Sequence, residues 1–304
     1  MLTEELMQEV RRLQIRTRRR VDDLFSGEYH SAFKGQGVEF SEVREYQPGD
    51  DVRAIDWNVT ARTGKPFVKR YQEERQLTII IAVDRSASEG FGSGEKLKGQ
   101  ISTELAAVLT FVASRNNDRV GQMIFSDHVE QFVPPKKGRA HVLRLMRDLL
   151  DFEPTGTGTD LAGAISHLSG VLHRRSIVFL VSDFEAPVES LASVGVDTQL
   201  GFLTPLRKLA SKHEVIAVRL TDPRERELPR VGILEVRDPE TGQTVVLDTS
   251  SGRTRRAYLE SSQDHHASVD RALRSASVDC IDISTDEPFV PALANYFHMR
   301  EMRR

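Results

Sequence analysis

With 304 residues, 29% of them charged, and a net charge of -3, the chain has room for one large or two ordinary globular domains. It carries no global attraction to nucleic acid or anionic membrane. The single cysteine, Cys280, excludes an internal disulfide and points to a reducing compartment. No signal-peptide pattern opens the chain and no apolar run approaches the ~20 residues that span a bilayer, so a cytoplasmic protein without a membrane span is expected.

In chain order, Leu6, Val10, Leu13, Thr17, Val21 and Leu24 recur at steps of three and four and predict an amphipathic helix over Thr3–Phe25. Its glutamates lie early and its arginines (Arg11, Arg12, Arg16, Arg18, Arg19, Arg20) late. That order complements the helix dipole without requiring an anionic partner. No aromatic residues interleave with the arginines, so nucleic-acid binding is not expected.

From Gly27 to Arg75, turn formers such as Gly35, Gly37, Pro48-Gly49 and Gly64 separate short mixed runs, predicting loops and a few short strands. Both charge signs crowd around the only tryptophan, Trp57. This density reads either as a structural ion-pair network or as a partner surface including Arg53, Asp56, Trp57 and Arg62.

Beyond Leu77, apolar runs alternate with helical patterns, the signal of a doubly wound sheet. Strands are predicted at Leu77–Val83, Val120–Phe125, Val129–Val133, Ile177–Val181, Val215–Leu220 and Asp279–Ile283. Helices are predicted at Glu95–Arg115, Arg139–Leu150, Asp160–Leu172, Pro205–Lys212, Thr254–Ala276 and Glu287–Met299. Residues 231–248 read as an inserted β-hairpin around Asp238-Pro239-Glu240-Thr241-Gly242. The expected fold is α/β, a mainly parallel sheet flanked by helices over 76–304, preceded by an N-terminal helix and a small irregular β extension over 1–75. Cys280 is expected as a small buried hydrophobe in the last strand.

The chemistry concentrates where Leu77–Val83 ends. Asp84, Ser86 and Ser88 follow the strand at alternate positions, and the carboxyl end of a central parallel strand is where an open α/β sheet places its ligand crevice. One carboxylate and two hydroxyls are hard oxygen donors suited to Mg²⁺ or Mn²⁺. Two later places can add donors: Thr159, in the loop Thr155–Asp160, and Asp183, closing the run Ile177–Ser182. Each motif taken singly also reads as a helix cap or Asx turn. The near-match Gly90–Lys96 to a phosphate-binding loop fails, because Glu95 stands where a glycine is needed and Leu97 where Ser or Thr is needed. The histidines show no zinc-site spacing with a cysteine.

Asp84-x-Ser86-x-Ser88, the Gly158-Thr159 step before a helix and Asp183 together resemble the metal-ion-dependent adhesion site of von Willebrand factor A domains. The stretch from Tyr46 to Arg62, then Lys65–Lys69 and Glu73–Arg75, is similar to the bacterial branch called domain of unknown function fifty-eight, often encoded beside MoxR-type AAA+ ATPases. The resemblance implies Mg²⁺ or Mn²⁺ held by Asp84, Ser86, Ser88, Thr159 and Asp183; beside that set, Glu89 and Asp160 are candidate carboxylates of the surrounding layer, and Glu89 would either weaken an acidic ligand or occupy the metal itself. It further implies an open metal position filled by an acidic residue of a protein partner, a MoxR-type ATPase or its client. The implied role is a non-enzymatic accessory in maturation or assembly of that client. Two departures stand out: Glu89 follows Ser88 where an apolar residue is usual, and Phe184-Glu185 follows Asp183 where A domains at large carry glycine. An enzymatic alternative uses Asp84 as the nucleophile of a Mg²⁺-dependent phosphotransferase or phosphatase, though Ser86 stands where such enzymes carry a second Asp.

Overall fold

The computed structural model describes residues 29, 32, 39–48, 50–52, 55–72, 76–185 and 201–303. The expected helix over Thr3–Phe25 and the candidate Arg53 lie outside the described residues. Contacts separate Phe33–Leu77 from the rest of the chain.

In that smaller unit, β1 (Glu39–Glu45) pairs antiparallel with β2 (Phe67–Gln72). Between them lies a short helix that sequence periodicity does not reveal, α1 (Trp57–Thr63). Asp56 starts it, its carboxylate accepting the N–H groups of Asn58 and Val59 at 3.0 and 3.3 Å. Gly64 ends it at φ 73°, the left-handed conformation that lets its N–H turn back onto Thr60 O.

The larger unit runs β3 (Thr78–Asp84), α2 (Lys98–Arg115), β4 (Arg119–Phe125), β5 (Val129–Lys136), α3 (Arg139–Leu150), α4 (Leu161–Val171) and β6 (Ile177–Ser182). It continues α5 (Leu203–Ala210), β7 (Glu214–Thr221), α6 (Pro223–Arg226), β8 (Ile233–Arg237), β9 (Thr244–Asp248), α7 (Gly252–Ser275), β10 (Asp279–Ser284) and α8 (Phe289–Met302). Six strands form one sheet in the order β10-β7-β6-β3-β4-β5. All neighbours are parallel except β4 and β5. The fold is therefore mixed α/β, a mainly parallel sheet flanked by helices.

Central strands covered on both faces need unbroken apolar runs, and Ile79–Val83 are buried without exception. Alternation sends Ile80 and Ala82 to a core with Met123, Val178 and Leu180 of neighbouring strands, against Ile165 and Leu168 of α4, Leu206 of α5 and Leu273 of α7. Ile79, Ile81 and Val83 face the other way, and α2 packs on β3 from outside that cluster. β5 extends past the expected Val133 through Pro134 and Pro135, which an edge strand tolerates because no ladder N–H is required of it.

Two expectations are corrected. The helix predicted from Glu95 begins at Lys98, because Leu97 is extended at φ -78° and ψ 155° and the Lys98 N–H turns back to Phe91 O at 2.9 Å. Cys280 is only partly buried, since β10 is an outer strand of the sheet. No helix among the described residues is long and apolar enough to cross a membrane.

Candidate metal centre

The spatial order of strands reverses between β3 and β6, and such a reversal opens a crevice outside the carboxyl ends of the two strands. β3 delivers Asp84 there and β6 delivers Ser182 and Asp183. All three are buried.

A line of hydrogen bonds crosses this crevice. Asp84 Oδ1 accepts the Ser86 N–H at 2.9 Å and Asp84 Oδ2 accepts the Ser182 hydroxyl at 2.7 Å. The Ser86 and Ser88 hydroxyl oxygens are 3.0 Å apart, and Ser88 donates to Asp183 Oδ2 at 2.7 Å. Four of the five predicted ligand residues are thus gathered in one connected cluster. The fifth, Thr159, belongs to a loop tied to the same place through Ala87 N–H to Thr157 O at 2.9 Å. Its hydroxyl donates to Glu240 Oε1 at 2.8 Å, from the turn between β8 and β9.

The loop carrying Thr159 is built on a residue that sequence reading missed. Glu130, on β5, accepts the Thr155 and Gly156 N–H groups at 2.8 and 2.9 Å and the Thr155 and Ser126 hydroxyls at 2.6 and 2.8 Å. Burial works against its ionisation, but these bonds outweigh it and bring its pKa down to about 2. Gly156 is required by close approach: a Cβ there would lie 2.4 Å from Ser126 Oγ.

Glu89 sits in the one-turn helix Ala87–Gly90, buried, near the Ser102 hydroxyl but with no hydrogen bond of ordinary geometry to either carboxylate oxygen. Burial first, then the charges of Asp84 and Asp183, push its pKa well above the usual carboxylate range. The same causes, burial and then Asp183, raise Asp84 to about 7. Asp183 behaves oppositely: burial would raise it, but the Lys98 ammonium and the Ser88 hydroxyl hold it below its ordinary value.

Lys98, at the first turn of α2, is a cation at this site that sequence reading did not find. Its fully buried ammonium donates to Asp183 Oδ2 at 2.8 Å and to Glu225 Oε1, on α6, at 2.5 Å. Burial favours its neutral form, but Asp183, Glu225 and Glu89 hold the pKa above the ordinary lysine value.

Among the described residues no group of three His, Cys, Asp or Glu side chains could by itself hold a metal ion, so a metal here depends on hydroxyl donors. The donor chemistry fits a hard divalent cation: two buried carboxylates, two adjacent serine hydroxyls and a threonine hydroxyl. Beside them the buried Glu89, pushed toward its neutral form by burial and by Asp84 and Asp183, is a further oxygen donor whose charged form a divalent cation would favour.

The other predicted residues divide. Asp160 is exposed and caps α4, accepting the Gly163 N–H at 2.8 Å. In the smaller unit Asp56 is a buried cap of α1, whereas Trp57 is 67% exposed and Arg62 is exposed in the last turn. Phe184 occupies φ 58°, a left-handed conformation suited to glycine and costly for a side chain. Its ring is 1% exposed and packs 6.0 Å from Phe202, and that burial offsets the backbone cost.

Comparison with known proteins adds a family. The family model described as Protein of unknown function DUF58 matches residues 42–268. Uncharacterized protein Rv1480 of Mycobacterium tuberculosis is 32% identical over 294 residues, 96% of this chain and 88% of its own. Among solved structures, the conserved hypothetical protein BatB from Bacteroides thetaiotaomicron aligns at a TM-score of 0.48 and 13% identity, over 75% of this chain and 100% of that one. The SpRpn10 VWA domain aligns at a TM-score of 0.38 and 13% identity, over 73% of this chain and 95% of that one.

Proposed function

This chain belongs to the family described as Protein of unknown function DUF58, and from that premise we propose that it is a metal-dependent protein-binding module. The observation that carries the reading is the hydrogen-bonded line Asp84–Ser86–Ser88–Asp183 across the reversal of strand order. Asp84, Ser86, Ser88, Thr159 and Asp183 would hold Mg²⁺ or Mn²⁺, and Glu89 would add charge from behind. When bound, the ion supplies a positive centre to which a carboxylate of a partner can attach. The chain's own residues orient the donors: Ser182 fixes Asp84, Lys98 fixes Asp183, and Glu130 fixes the loop of Thr159.

The partner we assign is a MoxR-type AAA+ ATPase or its client, presenting an acidic residue, with the chain acting as an accessory in the client's maturation or assembly. That assignment rests on the resemblance of the segment Tyr46–Arg75. Exposed Trp57 and Arg62 offer a second contact surface on the smaller unit. The phosphotransfer reading has less support, because Asp84 is fully buried and both its oxygens already accept hydrogen bonds, from Ser86 and Ser182.

Calorimetric titration of the full chain with Mn²⁺ and Mg²⁺ tests the reading. Binding by the wild type that disappears in Asp84→Asn, with the circular dichroism spectrum unchanged, supports it. A silent wild-type titration overturns it. Capture of a MoxR-type ATPase in Mg²⁺ but not in EDTA supports the partner, and equal capture in both refutes metal gating.

A further inference from the structure

The turn between β8 and β9 carries a carboxylate to the loop that bears Thr159. Glu240 is half-buried and accepts the Thr159 hydroxyl at 2.8 Å. Its other oxygen lies close enough to Gly158 that a Cβ built there would be 3.9 Å from it. Glu240 also feels the negative charge of Asp183, at the β6 end of the donor cluster, and the positive charge of Lys98.

The turn is shaped to hold it there. Asp238 Oδ1 accepts the Glu240 N–H at 2.9 Å, and Asp238 Oδ2 accepts the Thr241 hydroxyl at 2.6 Å. Asp238 N–H and O close the loop with Gln243 O and Gly242 N–H at 2.8 and 2.9 Å. A hydrogen-bonded turn of this kind presents the side chain after its first residues without large entropy to lose.

The geometry points to Glu240 as a metal ligand supplied by the chain itself, filling the partner-facing position of the centre from the hairpin tip. This rests on the metal-binding reading of Asp84, Ser86, Ser88, Thr159 and Asp183. A hard divalent cation placed among those donors gains a third nearby carboxylate on the solvent side, where Thr159 and Glu240 are only partly covered, while Glu89 remains behind. An outside carboxylate then competes with Glu240, and the hairpin acts as the gate. Ile233, Val245 and Val246 are exposed, so little apolar burial holds the ribbon in place.

The experiment uses the full chain with Mn²⁺ as probe, reading both affinity and the enhancement of water-proton relaxation, which rises when water gains access to the bound ion. Wild type, Glu240→Gln and Asp84→Asn are compared. The expected result for Glu240→Gln is a Mn²⁺ affinity weakened by about 10–100-fold together with a higher relaxation enhancement per bound ion. The relaxation increase decides the matter: if it is absent, with or without a loss of affinity, Glu240 is not a ligand, and the metal-binding reading stands on the behaviour of Asp84→Asn. A wild type that binds no Mn²⁺, or an Asp84→Asn variant that binds it equally well, overturns the metal centre and the role of Glu240 with it.

Discussion

The Lys98 ammonium lies 2.8 Å from Asp183 Oδ2, an ion pair with neither side chain more than 2% exposed. It links the first turn of α2 to the end of β6, and through Glu225 to α6. A buried charge of this kind contributes little net stability as a pair, but removing one partner leaves the other without compensation.

Lys98→Met should therefore cost ~3–5 kcal/mol in EDTA, because Asp183 and Glu225 lose their shared cation. Saturating Mg²⁺ should restore part of that loss, since a bound cation stabilises the folded chain by mass action. Urea unfolding with and without Mg²⁺ measures both. Equal stability of variant and wild type in EDTA would show the pair to be dispensable.

Glu130 gives a pH dependence of defined sign. Its folded pKa, about 2, lies below the ordinary 4.5, so the unfolded chain binds the proton more readily. The contribution is complete above about pH 4.5 and lost as pH falls toward about 2. With its side chain 5% exposed, the contribution is up to ~2–3 kcal/mol. Glu130→Gln should lower the melting temperature at pH 7 and narrow its gap to wild type as the pH is lowered. A gap that stays constant from pH 6 to pH 3 would contradict this.

Asp160 separates a cap from a metal-supporting role. Asp160→Ala should cost ~0.5–2 kcal/mol by exposing the first turn of α4, and Asp160→Asn, which keeps the cap, should cost almost nothing. Neither should alter Mn²⁺ affinity by more than a few-fold. A selective loss of Mn²⁺ binding in Asp160→Asn would return this carboxylate to the metal.

The strands were legible because burial on both faces forces a pattern that composition cannot hide, as in Ile79–Val83. Asp84, Ser86 and Ser88 were legible because they follow such a strand at fixed spacing. Lys98 was not: it reads as an ordinary polar helix position, and its partner is 85 residues away. Glu130 and Glu240 were hidden likewise, each an unremarkable charge in a strand or turn until β5 and the hairpin bring it to the Thr155–Thr159 loop. Phe184 marks the reverse case. Its departure from glycine was visible in sequence, but the buried ring that offsets a φ of 58° was not.

Glu89 predicts two effects of opposite sign. Both its oxygens are buried without a hydrogen bond of ordinary geometry, and burial, Asp84 and Asp183 oppose its charge more than Lys98 and the Ser102 hydroxyl favour it. An unpaired buried carboxylate in that company opposes folding, so the neutral Glu89→Gln should be more stable than wild type in EDTA. A gain of ~1 kcal/mol would raise the melting temperature by about 2–4 °C for a unit of this size. The same charge favours a divalent cation, so the variant should bind Mn²⁺ more weakly, by about tenfold, and gain less stability from saturating Mn²⁺. The two melting curves should then converge or cross as the ion is added. If Glu89→Gln is less stable than wild type in EDTA and binds Mn²⁺ unchanged, Glu89 serves the packing of the turn Ala87–Gly90 and has no part in the electrostatics of the centre.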